Sequence, residues 1–86
     1  MDRDVFKVVD ELFCRRLQVP ALDPDAPLVD YGLDSVRAIE LVVEMESLFD
    51  VHISDEQAAS MLTLRDVVAT VNELLAVPVG QENGDA

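Results

Sequence analysis

Apolar residues recur along the chain at helical spacing, and polar or helix-breaking residues interrupt them at a few points. Val5, Val8, Val9, Leu12 and Phe13 fall at i, i+3, i+4, i+7 and i+8, one buried stripe of a helix, and predict a first helix over residues 4–17. Asp2 and Asp4 lie near its positive end, and Arg15 and Arg16 near its negative end, so both pairs complement the helix dipole. Pro20, Pro24 and Pro27 then break any helix and bias the residues before them toward extended backbone, giving a long connection over residues 18–34. Leu22, Leu28, Val29, Tyr31 and Leu33 recur through it, and several are expected to pin it to the rest of the domain. A connection of that length in a small domain has a function or packs as a unit.

A second helix is predicted from about Ser35 to Phe49. Gly32 is the breaker before it. Asp34 is placed to cap it, because its carboxylate can accept a hydrogen bond from an orphan N–H of the first turn. Ser35 falls at the first helical position, where its hydroxyl faces solvent. At about 100° per residue, Ala38, Leu41, Val42, Met45 and Phe49 share one face, bordered by Leu48, and form the core stripe. Val36, Ile39 and Val43 lie roughly opposite, with Glu40 and Glu44 on one side and Glu46 on the other. A bundle helix needs one broad apolar stripe. The second stripe is therefore either covered by the long connection or the third helix, or it is a docking patch with an apolar centre, an acidic rim and Ser35 at one end.

Phe49 to Ile53 form a turn. Ser54 with Gln57 three residues later is a capping box, opening a short third helix from about Asp55 to Met61. One or two turns are not stable alone, so this helix holds only by packing through Ala58, Ala59, Met61 and Leu62, and its low local stability would let it shift. Thr63 starts a fourth helix, with Asp66 at the third helical position and Leu62 expected to staple against Val67. Leu64, Val67, Val68, Val71, Leu74 and Leu75 give its core stripe to about Ala76, and Pro78 ends it. The expected fold is all-α, a small four-helix bundle with three long helices, one short third helix and a long first loop. One domain over residues 1–77 is followed by a disordered acidic tail over residues 78–86.

Composition narrows the function classes. A net charge of −12 on 86 residues argues against binding nucleic acid or an anionic membrane surface, both of which call for Lys and Arg. It favours basic protein partners found by electrostatic steering, although acidity also serves solubility alone. With Cys14 as the only cysteine no internal disulfide can form, which fits a reducing cytoplasm. The charged start Met1-Asp2-Arg3-Asp4 is not a signal peptide, no run is long enough for membrane insertion, and the chain reads as a free-standing monomer.

Catalytic groups are missing from the pattern. His52 and Cys14 lie on different elements, so no triad is assembled, and a lone histidine is not a metal site. An EF-hand fails on spacing: counted from Asp23 the sixth position is Leu28, and counted from Asp30 the third is Gly32. No glycine-rich phosphate loop is present. The chain is thus expected to be no enzyme and to hold no metal. Ser35 has two readings. It either merely opens a helix, or its hydroxyl is a modification site at a helix end whose free N–H groups and positive dipole favour an anion.

At this stretch the sequence resembles a known family. Gly32-Leu33-Asp34-Ser35-Val36 followed by Ile39-Glu40-Leu41 is similar to the attachment motif of acyl carrier proteins and the related peptidyl carriers. Phe49 to Glu56 is similar to that family's second loop and the start of its third helix, and Thr63-Leu64-Arg65-Asp66-Val67 to the start of its last helix, so the resemblance covers roughly residues 4–76. It implies a 4′-phosphopantetheine arm on Ser35, taken from coenzyme A by a basic, magnesium-dependent phosphopantetheinyl transferase to which Asp34 helps present the serine. It also implies polyketide, fatty acyl or aminoacyl cargo carried as a thioester. Acyl-loading and acyl-processing enzymes with basic surfaces would dock on Val36, Arg37, Ile39, Glu40, Val43, Glu44 and Glu46, with Asp55 and Glu56. Arg37 departs from the family's fatty-acid carriers, which usually have an acid there, and so favours a polyketide, nonribosomal-peptide or other specialised pathway. The competing reading is an acidic helical adaptor that never carries an arm.

Overall fold

In a computed structural model, which describes residues 4–76, the chain forms α1 (Val5–Leu17), α2 (Ser35–Phe49), α3 (Asp55–Ala59) and α4 (Leu64–Ala76). This is the all-α architecture expected from the spacing, with no β-strand among the described residues. Residues 1–3 and 77–86, including Pro78 and the tail expected over 78–86, lie outside the described residues.

Each helix begins where a side chain can satisfy its orphan amides. The Asp4 carboxylate accepts from the Lys7 N–H at 3.2 Å and caps α1. At the other end Gln18 turns into the left-handed region (φ 60°), and the Gln18 and Val19 N–H groups return to the Arg15 and Cys14 carbonyls. Ser54 and Gln57 close the expected capping box on α3: Ser54 Oγ accepts from the Gln57 N–H and Gln57 Oε1 from the Ser54 N–H. At α4 the Thr63 hydroxyl accepts from the Asp66 N–H, while Asp66 Oδ2 accepts from both the Leu62 and Thr63 N–H groups.

α1 lies centrally, packing against both α4 and α2. Val9, Leu12, Phe13 and Leu17 of α1 meet Leu41, Met45 and Phe49 of α2 and Leu64, Val67 and Val71 of α4 in one buried core, to which Leu28, Ile53 and Met61 are added from the connections. Val5, Val8, Val42, Val68 and Leu74 pack at its edge. No charged or polar residue is buried among the described residues. Leu75, expected in the α4 stripe, is instead 45% exposed at the helix's solvent edge.

The connection between α1 and α2 is more ordered than its prolines suggest. Leu28–Tyr31 form a turn of 3-10 helix after Pro27, with Asp30 N–H to Pro27 C=O at 3.0 Å and Gly32 N–H to Val29 C=O at 3.1 Å. Leu28 is buried, and Leu22, Tyr31 and Leu33 are partly buried against the core, whereas Val29 is exposed. The Tyr31 hydroxyl accepts from the Asp23 N–H at 3.0 Å. A second set of bonds fastens the connection to the start of α4: Leu28 N–H to Leu62 C=O, Arg65 N–H to Pro24 C=O, and a two-pronged Arg65–Asp25 pair at 2.6 and 3.1 Å. These hydrogen bonds from the Arg65 fork, with its charge, hold the Asp25 carboxyl below its ordinary range against a smaller desolvation effect.

Two local expectations need correction. α3 stops at Ala59 rather than Met61, because the Ser60 and Met61 N–H groups tighten onto the Gln57 and Ala58 carbonyls and Met61 turns into the core. Leu62 does not staple against buried Val67: its carbonyl is held by Leu28, and the residue is 64% exposed.

Candidate functional site

The chain reaches Ser35 through a set of turns that leave little freedom. Gly32 closes the 3-10 turn at φ +97°, a left-handed backbone that glycine adopts without a Cβ penalty. The Leu33 N–H returns to the Leu28 carbonyl at 3.3 Å. Asp34 is extended (φ −130°, ψ −176°) and caps α2 as expected, with Oδ1 accepting from the Arg37 N–H at 2.9 Å and its carbonyl accepting from the Ala38 N–H at 2.8 Å. Ser35 is the first residue of α2 and is exposed. Among the described residues, the Ser35 and Val36 N–H groups have no acceptor in the chain. An exposed hydroxyl, two unpaired amides and the positive end of a fifteen-residue helix therefore coincide.

Two apolar features run from this point along α2. On its outer face Val36, Ile39 and Val43 are 64%, 64% and 58% exposed, so neither the long connection nor α3 covers the second stripe. On its inner side a cleft of about 90 Å³ is lined entirely by apolar side chains, among them Leu33, Ala38, Ile39 and Val42 from α2 and its approach, Ala58 and Met61 from α3 and beyond, and Val67 from α4. Ile39 belongs to both.

The acidic residues around α2 are less uniform than their spacing suggests. Glu40 and Glu44 share the outer surface with Ile39 and Val43, and Arg16 of α1 reaches both of them: it pairs with Glu44 and stands 4.0 Å from Glu40. Glu46 faces the loop that follows α2. Its Oε2 accepts from the Ile53 N–H at 2.8 Å and lies 3.3 Å from His52 Nδ1. Arg37 turns back to the cap, with its guanidinium 3.7 Å from Asp34 Oδ2. Asp55 and Glu56 are exposed in the first turn of α3, where they complement its dipole. Arg16 is the residue whose place here sequence reasoning missed. Its position in the last turn of α1 explains its charge but gives no sign of which carboxylate on another helix it meets.

Cys14 sits half-buried at the core edge, 3.7 Å from Asp10 Oδ1. Burial first, then the Asp10 charge and hydrogen bond, push its thiol up from the ordinary range. Among the described residues no group of His, Cys, Asp or Glu is placed to hold a metal ion, and no helix is long and apolar enough to cross a membrane.

Comparison with known proteins bears on this geometry. A profile of the family described as "Phosphopantetheine attachment site" matches residues 7–71. Curated relatives named acyl carrier protein include one from Desulforapulum autotrophicum, 33% identical over 69 residues covering 76% of this chain and 90% of that protein. One from Streptomyces coelicolor is 35% identical over 65 residues, covering 74% and 71% respectively. One from Helicobacter pylori is 33% identical over 72 residues, covering 80% and 92%.

Proposed function

This chain belongs to the phosphopantetheine-attachment family of acyl carrier proteins, and from that premise we propose that Ser35 is the residue that bears its arm. The family's function is to carry acyl intermediates on a covalent 4′-phosphopantetheine. When bound, that group supplies the thiol on which cargo is held as a thioester. The observation that supports Ser35 is its place: the first residue of α2, exposed, directly after the Asp34 cap, with two unpaired N–H groups beside it. A phosphodiester on this hydroxyl fits, because the helix end favours an anion and nothing need move to admit it. Attachment forms a bond from Ser35 Oγ to the phosphorus next to pantetheine, breaks the pyrophosphate of coenzyme A so that adenosine 3′,5′-bisphosphate leaves, and releases the serine proton to a base of the transferase.

The other residues take roles consistent with their geometry. Asp34 fixes the turn that presents Ser35. Val36, Ile39 and Val43 give partner enzymes an apolar contact, with Glu40 and Glu44 beside it and Asp55 and Glu56 on α3 as further acids. Glu46 acts through the loop it holds. The apolar cleft between α2 and α3 offers shelter to the end of an aliphatic cargo. Burial and the neighbouring Asp10 push the Cys14 thiol up from its ordinary range, which makes it a weaker nucleophile than a free thiol. The chain serves as a carrier and not as an enzyme, with a phosphopantetheinyl transferase and acyl-loading and acyl-processing enzymes as its partners. It works in the cytoplasm, which the free thiol fits. Arg37 beside the attachment point supports a specialised pathway over primary fatty-acid synthesis.

The test is intact-protein mass before and after incubation with coenzyme A, magnesium and a broad-specificity phosphopantetheinyl transferase. The parent is expected to gain one phosphopantetheine and Ser35→Ala none. A folded parent that gains nothing would return the chain to the class of unmodified helical adaptors.

A further inference from the structure

We propose that Arg16 is a specificity-determining residue of the docking surface, holding from within the chain the carboxylates that a partner's lysine or arginine would otherwise engage. Arg16 belongs to α1, yet its guanidinium pairs with Glu44 and stands 4.0 Å from Glu40 on α2. A shallow groove on the outer face is formed by Arg16 together with Ile39, Glu40, Val43 and Glu44, so this cation shares the groove with two of the three aliphatic residues of the outer stripe. Its side chain is 44% exposed, and an incoming cation can therefore compete with it. The remaining acids of this helix are also engaged: Asp34 by Arg37, and Glu46 by the Ile53 N–H and His52. Glu44 and Glu46 on α2 and Asp34 at its N-terminal cap are thus engaged from within the chain, while Glu40 stands at the limit of Arg16's reach.

The net charge of −12 attracts basic partners from a distance, but a cation that engages Glu44 must displace Arg16. A partner that presents cations alone loses the Arg16 pair on docking. A partner that also presents a carboxylate to the released guanidinium does not. The discrimination is thus local, acting on the docked complex more than on the rate of encounter.

This inference rests on the carrier reading through its probe, a basic phosphopantetheinyl transferase. The affinity of that enzyme is measured for unmodifiable Ser35→Ala protein carrying either Arg16→Gln or Arg15→Gln. Arg15 is exposed on the same helical turn and has no ion pair among the described residues, so both variants lose one positive charge and only one unmasks the acids. At low salt Arg16→Gln is expected to bind about two- to fivefold tighter than Arg15→Gln, the range of an exposed ion pair. The gap should shrink near 1 M salt, where the Debye length is about 3 Å. Glu44→Gln should also weaken binding more when Arg16 is already Gln. Equal affinities, or weaker binding by Arg16→Gln, would overturn the proposal. Loading of the parent with equal affinities would overturn the role of Arg16 alone. A folded parent that is neither loaded nor bound would overturn both this role and the carrier reading.

Discussion

Replacing Glu46 by alanine should destabilise the domain through one hydrogen bond. Ile53 is 4% exposed, and its N–H is met by Glu46 Oε2 at 2.8 Å. Truncation leaves the amide of this buried residue, in a part-buried loop, without its acceptor. A bond to a charged group contributes about 1.5–3 kcal/mol, and an orphaned buried donor costs about 1–3 kcal/mol. About 2 kcal/mol is thus the expected loss for Glu46→Ala, a fall in Tm of about 8–16 °C for a domain of this size. Glu46→Gln keeps an oxygen acceptor and should lose less than half as much. His52→Ala separates the two contacts of Glu46: the His52 side chain is 88% exposed, so its removal should stay within about 0.5 kcal/mol. Thermal denaturation followed by far-UV circular dichroism at neutral pH reads all three. The loss should also reach α3, whose capping box begins one residue after Ile53, and hydrogen exchange should speed up at Ala58 and Met61. A Glu46→Ala protein within about 0.5 kcal/mol of the parent would refute the assignment of this carboxylate to the loop.

Gly32→Ala should cost about 1–2 kcal/mol in a chemical melt, wholly from backbone strain at φ +97°, since nothing lies within 4 Å of the added Cβ. A larger loss would mean that a contact had been missed. The lowered folded-state pKa of Asp25 adds stability at pH values above its unfolded pKa, and this is lost as pH falls through the folded value. In Arg65→Gln, an NMR titration should find Asp25 returned upward to the ordinary carboxylate range; an unmoved value would exclude the Arg65 hydrogen bonds as its cause. Arg37→Glu places an acid three residues after Asp34 and should shift stability by no more than about 0.5 kcal/mol. The same variant should slow loading by a cognate pathway enzyme severalfold, and unchanged loading kinetics would remove Arg37 from the recognition surface.

Much of this was legible because helical periodicity and capping are local properties. The α1 and α2 stripes, the Asp34 cap, the Ser54–Gln57 box and the exposure of Ser35 all follow from residues within a few positions of one another. Contacts between distant segments were not legible. Nothing in the spacing pairs Arg16 with Glu44 or joins Asp25 to Arg65, since those meetings depend on how the helices cross and where the long connection lies. Glu46 shows the limit within one helix: its angular position places it beside the outer stripe, but the loop that follows supplies a donor and its carboxylate turns there. The 3-10 turn at Leu28–Tyr31 was hidden because prolines mark where α-helix stops without stating which tighter turn replaces it.

The two faces of α2 differ in what they permit a lineage to change. Val36 and Val43 lie outside the core, so substitutions there should leave stability within about 0.5 kcal/mol while altering which enzymes are met. New partnerships can be tried without solving the folding problem again. Ile39 is the exception, because it stands on the outer surface and also lines the cleft. At that one position a change in the proposed docking surface also reshapes the apolar cleft, so the two features cannot vary independently there.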